Sequence, residues 1–146
     1  MWSVLDQTDL FLITANATIK RNGALVMGRG LAREARDRVP GLDLDAGRLI
    51  QRIQTSTQLG GRYGLAILRA PYGLFQVKFH YRNTARPDLI SLSVSMLKRL
   101  LWAHSDWRVD LNFPGIGNGK LDYLSVLPLV SVLPDTVHIW RKERTG

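Results

Sequence analysis

Short apolar runs alternate with amphipathic stretches along this chain, and the spacing of the apolar positions predicts where its elements fall. Leu10-Phe11-Leu12-Ile13-Thr14 is apolar and β-rich and reads as a buried strand, stopping at Ala15-Asn16. A polar loop follows through Lys20-Arg21-Asn22-Gly23. After Gly28-Arg29-Gly30 the period turns helical. Leu31, Ala32, Ala35 and Val39 share one face, Arg33, Glu34, Arg36, Asp37 and Arg38 lie mostly off it, and Pro40-Gly41 ends the run. A polar, weakly helical stretch from Asp45 to Gln58 is closed by Gly60-Gly61.

Tyr63 to Arg69 and Leu74 to Phe79 read as two strands of a hairpin around Ala70-Pro71-Tyr72-Gly73. From Pro87-Asp88 a strong helix begins, with Leu89, Leu92, Met96, Leu97, Leu100 and Leu101 as its apolar stripe and Asp88 as its N-cap. Arg108 to Phe113 is a further strand. The glycine-rich Pro114-Gly115-Ile116-Gly117-Asn118-Gly119-Lys120 leads into a helical Leu121 to Leu133, interrupted by Pro128, and Thr136 to Trp140 is a final strand. The order β, α, α, β, β, α, β, α, β predicts one α/β domain over residues 1–146: a three-layer α/β/α sandwich with a mixed, mostly parallel central sheet. Arg141 to Gly146 is expected to be a solvated end.

Composition narrows the chemistry. The chain has 146 residues, 45% of them apolar, enough to bury roughly 70% of the unfolded surface without staples. It has no cysteine, which excludes disulfide frames, Cys-ligated zinc, iron–sulfur centres and thiol nucleophiles. No stretch reaches the ~20 apolar residues of a membrane span, and the N-terminus lacks a basic n-region, so a soluble, cytoplasmic protein with no membrane partner is expected. The three histidines, His80, His104 and His138, show no metal-ligand spacing, and no cofactor is implied. Trp102, Trp107 and Trp140 fit either core or interface.

Twenty Lys and Arg against 12 Asp and Glu leave a formal charge of +8, which attracts polyanions. The basic residues are scattered, so a solvated surface and a nucleotide or nucleic-acid surface both stand. In open α/β sheets, ligands bind beyond the carboxyl ends of strands. Three features fall at such ends. The loop Gly115 to Lys120 runs from a strand into a helix, where glycines let backbone N–H groups approach a phosphate; its spacing is neither a Walker loop nor a dinucleotide fingerprint. Ala24 to Gly30 is another loop that opens a helix, whose dipole favours an anion. Lys78, between Val77 and Phe79, is predicted on the strand face opposite theirs; lining a cleft, its desolvated amine becomes a nucleophile, and otherwise it is a solvent-facing lysine.

Taken together, these loops resemble those of macrodomains, α/β/α modules that bind ADP-ribose. The likeness runs from about Leu10 to Val137, in order: Thr14-Ala15-Asn16; Val26-Met27-Gly28-Arg29-Gly30-Leu31-Ala32; Phe75-Gln76-Val77-Lys78-Phe79-His80-Tyr81-Arg82; and Pro114-Gly115-Ile116-Gly117-Asn118-Gly119-Lys120-Leu121-Asp122-Tyr123. It is nearest to the branch with lysine-dependent ADP-ribosyl hydrolases and the antitoxins that remove ADP-ribose from DNA. Three departures stand out. Gln76-Val77 replaces Pro-Thr before the lysine, and Lys120 stands where the family has the second glycine of a pair. The family's extra first strand, with its adenine-contacting acid, has no counterpart here, so the N-terminal strand is expected to be shortened and Asp6 or Asp9 to substitute.

The resemblance implies an ADP-ribosyl hydrolase acting on an ADP-ribosylated macromolecule, with nucleic acid slightly favoured over protein by the charge. It implies that Met27, Gly28, Arg29 and Gly30, with Gly115, Ile116, Gly117, Asn118, Gly119 and Lys120, hold the diphosphate. Asn16 orients the distal ribose, and Tyr123 contacts the ligand. Lys78 attacks or supports the anomeric carbon, and Asp122 acts as general acid or base. The alternatives are a non-catalytic ADP-ribose reader, a phosphatase for ADP-ribose phosphate, and a plain nucleic-acid-binding domain, for which turnover, phosphate release and salt-dependent DNA binding are the respective discriminators.

Overall fold

The computed structural model describes residues 1–57 and 60–141. A single turn of tight helix at Trp2–Val4 precedes β1 (Leu10–Ala15), α1 (Gly30–Arg38), α2 (Leu42–Thr57), β2 (Leu65–Ile67) and β3 (Tyr72–Gln76). Then follow α3 (Pro87–Ala103), β4 (Val109–Asn112), a second tight turn at Gly117–Gly119, α4 (Tyr123–Val130) and β5 (Val137–Trp140). The succession of strands and helices is the one the apolar spacing predicts.

The sheet order is β2-β3-β1-β4-β5, with β2 antiparallel to β3 and every other pair parallel. β1 is the hub. Its period-2 alternation sends Phe11, Ile13 and Ala15 into the core shared with α1 and α2, and Leu10 and Leu12 into the core shared with α3 and α4. Both faces are covered, which is why β1 reads as a continuous apolar run. The chain leaves β1 toward β3 on one side and returns through α3 to β4 on the other. That switch point leaves a crevice beyond the carboxyl ends of β1, β3 and β4.

Several boundaries differ from the sequence reading. β3 stops at Gln76, so Lys78 lies in the loop beyond it and not on a strand face. The cause is Gln76 itself, fully buried. Its Oε1 accepts from the amides of Tyr63 and Gly64, and its Nε2 donates to the Gly61 carbonyl, so a side chain takes over where β2 would have to continue. The residue N-capping α3 is Arg86, while Asp88 sits in the first turn and pairs with the Arg86 guanidinium at 3.0 Å. α2 starts at Leu42, ahead of Asp45; Gln58, its expected end, lies outside the described residues, as does the tail beyond Arg141. Only Tyr123–Val130 of the Leu121 to Leu133 segment is helical, with Pro128 inside it. Trp107 and Trp140 are half-buried, whereas Trp102 is 89% exposed. Among the described residues no helix is long and apolar enough to cross a membrane.

Candidate functional site

The crevice at the switch point is a cavity of about 650 Å³, within the size range of nucleotide and drug-sized sites. Its floor is the strand ends: Thr14, Ala15 and Asn16 after β1, Val77 and Lys78 after β3, and Asn112 closing β4. Gly28 to Ala32 at the start of α1 form one wall, and Gly115, Ile116, Asn118, Gly119 and Lys120 form the other. Tyr81 and Arg82 stand at the rim.

The floor is rigid. Asn16 Nδ2 donates to the Val26 carbonyl at 3.0 Å, and Asn16 Oδ1 accepts from the Thr18 amide at 2.9 Å. Its side chain thus fastens the first loop across the end of β1 and keeps one N–H and one lone pair for a ligand. Tyr63 Oη donates to the Asn16 carbonyl at 2.7 Å, and burial pushes that phenol's pKa far up, so it stays a donor. Asn112 ties β4 to β1: its Oδ1 accepts from the Thr14 amide and its Nδ2 donates to Thr14 Oγ1.

The walls are made of main chain. The amides of Met27, Gly28, Arg29 and Gly30 have no acceptor among the described residues, and neither do those of Gly115, Ile116, Gly117 and Asn118. Two rows of free N–H groups therefore flank one cavity, the first at the N-terminus of α1; such arrays bind phosphates. Glycine is needed for this geometry: Gly30 has φ +57°, and a Cβ there would stand 3.3 Å from Asn118 Nδ2, on the opposite loop. The second loop is anchored by the Leu121 amide on the Gly115 carbonyl and the Ala85 amide on the Gly119 carbonyl.

Arg29, Lys78, Arg82 and Lys120 line this cavity, and among the described residues no Asp or Glu does. Burial, then the charges of Arg29 and Lys120, hold the Lys78 amine below its ordinary 10.5. The site can thus receive an anion on backbone donors and present a partly desolvated amine beside it.

Of the residues singled out from sequence, Asn16, Met27, Gly28, Arg29, Gly30, Lys78, Gly115, Ile116, Asn118, Gly119 and Lys120 meet in this cavity. The Met27 side chain belongs to the core, so only its main chain serves the site. Gly117, Asp122 and Tyr123 are not on its wall. Asp122 is exposed and N-caps α4 without a side-chain hydrogen bond, so Lys78 and Asp122 do not share the cavity surface. Tyr123 turns inward, its ring 4.7 Å from that of Phe113 and covered by the Arg141 guanidinium. Asp6 is exposed, Asp9 caps the Arg108 amide at the other end of β4, and neither reaches the cavity. Sequence reasoning missed Thr14, Tyr81, Arg82 and Asn112. An asparagine ending a second apolar strand run, as Asn16 ends the first, was the available signal for Asn112. Among the described residues no group of His, Asp or Glu could hold a metal ion.

No protein-family model matches the sequence, and no curated protein does. Solved structures do. The chain superposes on Thermosipho africanus DarTG in complex with ADP-ribose with a TM-score of 0.67 at 20% identity, over 95% of this chain and 40% of that one. The macrodomain of Mycobacterium tuberculosis DarG gives 0.64 at 21% identity, over 94% of this chain and 90% of that one. The macrodomain of Thermus aquaticus DarG gives 0.61 at 22% identity, over 96% and 93%. The chain thus has a macrodomain-like α/β fold, and it spans under half the length of the Thermosipho protein.

Proposed function

We propose that this protein binds ADP-ribose and hydrolyses the bond joining it to a macromolecule, a nucleic-acid conjugate before a protein one. The observation that carries this reading is Lys78: an amine kept below its ordinary pKa at the floor of a cavity whose two walls are free backbone amides. The similarity to a solved structure holding ADP-ribose supports the choice of ligand.

In this reading the diphosphate lies between the two loops and takes their N–H groups. Asn16 offers its remaining N–H and lone pair to the distal ribose, with its own position fixed by Val26 and Thr18. The neutral Lys78 amine forms a bond to the anomeric carbon as the bond from that carbon to the macromolecule breaks. The leaving atom takes the proton that the attacking amine gives up, and water then adds to the same carbon as its bond to the Lys78 nitrogen breaks, which releases ADP-ribose and restores the free amine. Asp122, exposed and off the cavity wall, takes no part in this step. The exposed Tyr81, with the His80 ring 4.6 Å away and the Arg82 guanidinium 5.3 Å from its centroid, gives the macromolecule an aromatic and cationic landing at the rim.

A non-catalytic reader is the second reading, favoured by a cavity wall on which none of the described residues is a carboxylate. Calorimetry with ADP-ribose and turnover of an ADP-ribosylated oligonucleotide and an ADP-ribosylated protein carboxylate, by the wild-type chain and Lys78→Ala, separate the two. Binding with turnover that Lys78→Ala abolishes supports the hydrolase. Binding without turnover makes it a reader, and no binding removes both.

A further inference from the structure

Gln76 is fully buried, and every hydrogen-bonding position of its side-chain amide is taken. Oε1 accepts from the amides of Tyr63 and Gly64 at 2.7 and 2.9 Å. Nε2 donates to the Gly61 carbonyl at 2.8 Å and to the Lys78 carbonyl at 3.3 Å. Two N–H groups on one side and two carbonyls on the other allow only this orientation of the group. Its main chain is fixed as well: the amide donates to the Gly64 carbonyl at 2.7 Å, and the carbonyl accepts from Ser93 Oγ at 2.8 Å.

The segment that carries Lys78 into the cavity depends on this group. Val77 is held by main chain on both sides, its amide on the Ala15 carbonyl and its carbonyl on the Arg86 amide, and the Phe79 carbonyl accepts from the Ala17 amide. Lys78, between them, has no main-chain hydrogen bond among the described residues, and the bond from Gln76 Nε2 is what fixes its carbonyl. The same glutamine reaches the other side of the floor. Tyr63, whose amide donates to it, gives its own phenol proton to the Asn16 carbonyl at 2.7 Å. Asn16, Tyr63, Gln76 and Lys78 thus form one chain of hydrogen bonds behind the floor. It runs from the asparagine assigned to the distal ribose to the amine assigned to that sugar's anomeric carbon.

A misplacement of about 1 Å between reacting groups can cost on the order of a hundredfold in rate. The grip on the diphosphate lies elsewhere, in two loops to which the Gln76 side chain makes no hydrogen bond. Resting on the hydrolase reading above, we infer that Gln76 is a positioning residue: it sets the Lys78 amine against the ribose that Asn16 holds, and it serves the rate of the reaction rather than the binding of ADP-ribose.

The test compares wild type with Gln76→Glu and with a chain in which the α-hydroxy analogue of Phe79 turns the Lys78–Phe79 peptide into an ester. The glutamate side chain keeps an acceptor for the Tyr63 and Gly64 amides but cannot donate to Gly61 and Lys78 together. The ester weakens the Lys78 carbonyl as an acceptor and removes the Phe79 N–H, which has no acceptor among the described residues. Gln76 then keeps its three other side-chain bonds, so the ester decides the matter where Gln76→Glu does not fold. Asp110→Asn, at the far end of β4, is the control for lost stability alone. Single-turnover rates on the ADP-ribosylated oligonucleotide and protein carboxylate, and affinities for ADP-ribose, are measured for each. Both perturbations should lower the single-turnover rate by roughly ten- to a hundredfold, with ADP-ribose affinity unchanged and Asp110→Asn at the wild-type rate. In the neutral ester the rising limb of rate against pH should also move to higher pH, because a loosened Lys78 regains water and draws away from Arg29 and Lys120. Rates equal to that of Asp110→Asn, with the limb in place, overturn the inference. So does a fall in rate matched by an equal fall in affinity, the mark of a bond that merely holds the fold. Wild type that binds ADP-ribose without turnover overturns the hydrolase reading instead, a result independent of the variants.

Discussion

The phenol of Tyr63, at the entry to the β2–β3 hairpin, donates a 2.7 Å hydrogen bond to the main-chain carbonyl of Asn16, at the exit of β1. Both groups are buried, so the bond locks the floor of the cavity from behind. Tyr63→Phe leaves that carbonyl unsatisfied. It should cost about 1–3 kcal/mol in chemical denaturation and weaken ADP-ribose binding, because Asn16 then holds the first loop from a looser anchor.

Activity should rise with pH as Lys78 loses its proton, along a limb centred below 10.5. Each neighbouring cation disfavours the ammonium, so deleting one restores basicity: Lys120→Met should move the limb to higher pH. A pH–rate profile of both proteins checks the direction, and a limb that stays in place or moves down contradicts it.

Asp110 is fully buried at the far end of β4 from the cavity. Burial works to raise its carboxyl, but hydrogen bonds from Arg108, Trp140 and Thr8, with the Arg108 charge, outweigh it and hold the group below its ordinary 3.8. A carboxylate depressed in the folded state stabilises fully above its unfolded value and loses that contribution as pH falls through the folded one. Asp110→Asn should therefore lower stability at neutral pH and flatten the loss of stability between about pH 5 and pH 2. Denaturation midpoints across that range measure both.

Gly47 lies inside α2, where alanine would ordinarily be preferred by about 1 kcal/mol. Here a Cβ would collide with the Gly23 carbonyl, the turn ahead of the first cavity loop. Gly47→Ala should instead destabilise by about 1–3 kcal/mol, the usual cost of overpacking. A melting temperature above that of the wild type would refute the close approach.

The element order was legible because both sheet faces are covered: period 2 in Phe11, Ile13 and Ala15 against Leu10 and Leu12, and helical period in Met96, Leu97, Leu100 and Leu101, report the same two cores. Gly30, Gly115 and Gly117 were legible because they take positive φ in their loops. What escaped was set by single side chains competing with the backbone. Gln76 ends β3 and so moves Lys78 off the strand. Arg86 draws Asp88 away from a capping role. Asp122 follows Lys120 closely in sequence, yet the left-handed turn at Lys120 and the start of α4 carry it outside the wall. Spacing along the chain records none of these contests.

The donors that both loops offer to the proposed anion are peptide N–H groups rather than side chains. An alanine scan of Gly28, Arg29, Ile116 or Asn118 therefore leaves most of the donors in place and will understate how strongly these loops grip. Replacing a loop amide by an ester, which deletes the hydrogen and nothing else, is the perturbation to which such a grip is sensitive. Sequences that diverge widely at these positions could keep the same hold on a nucleotide, provided the turns keep their handedness.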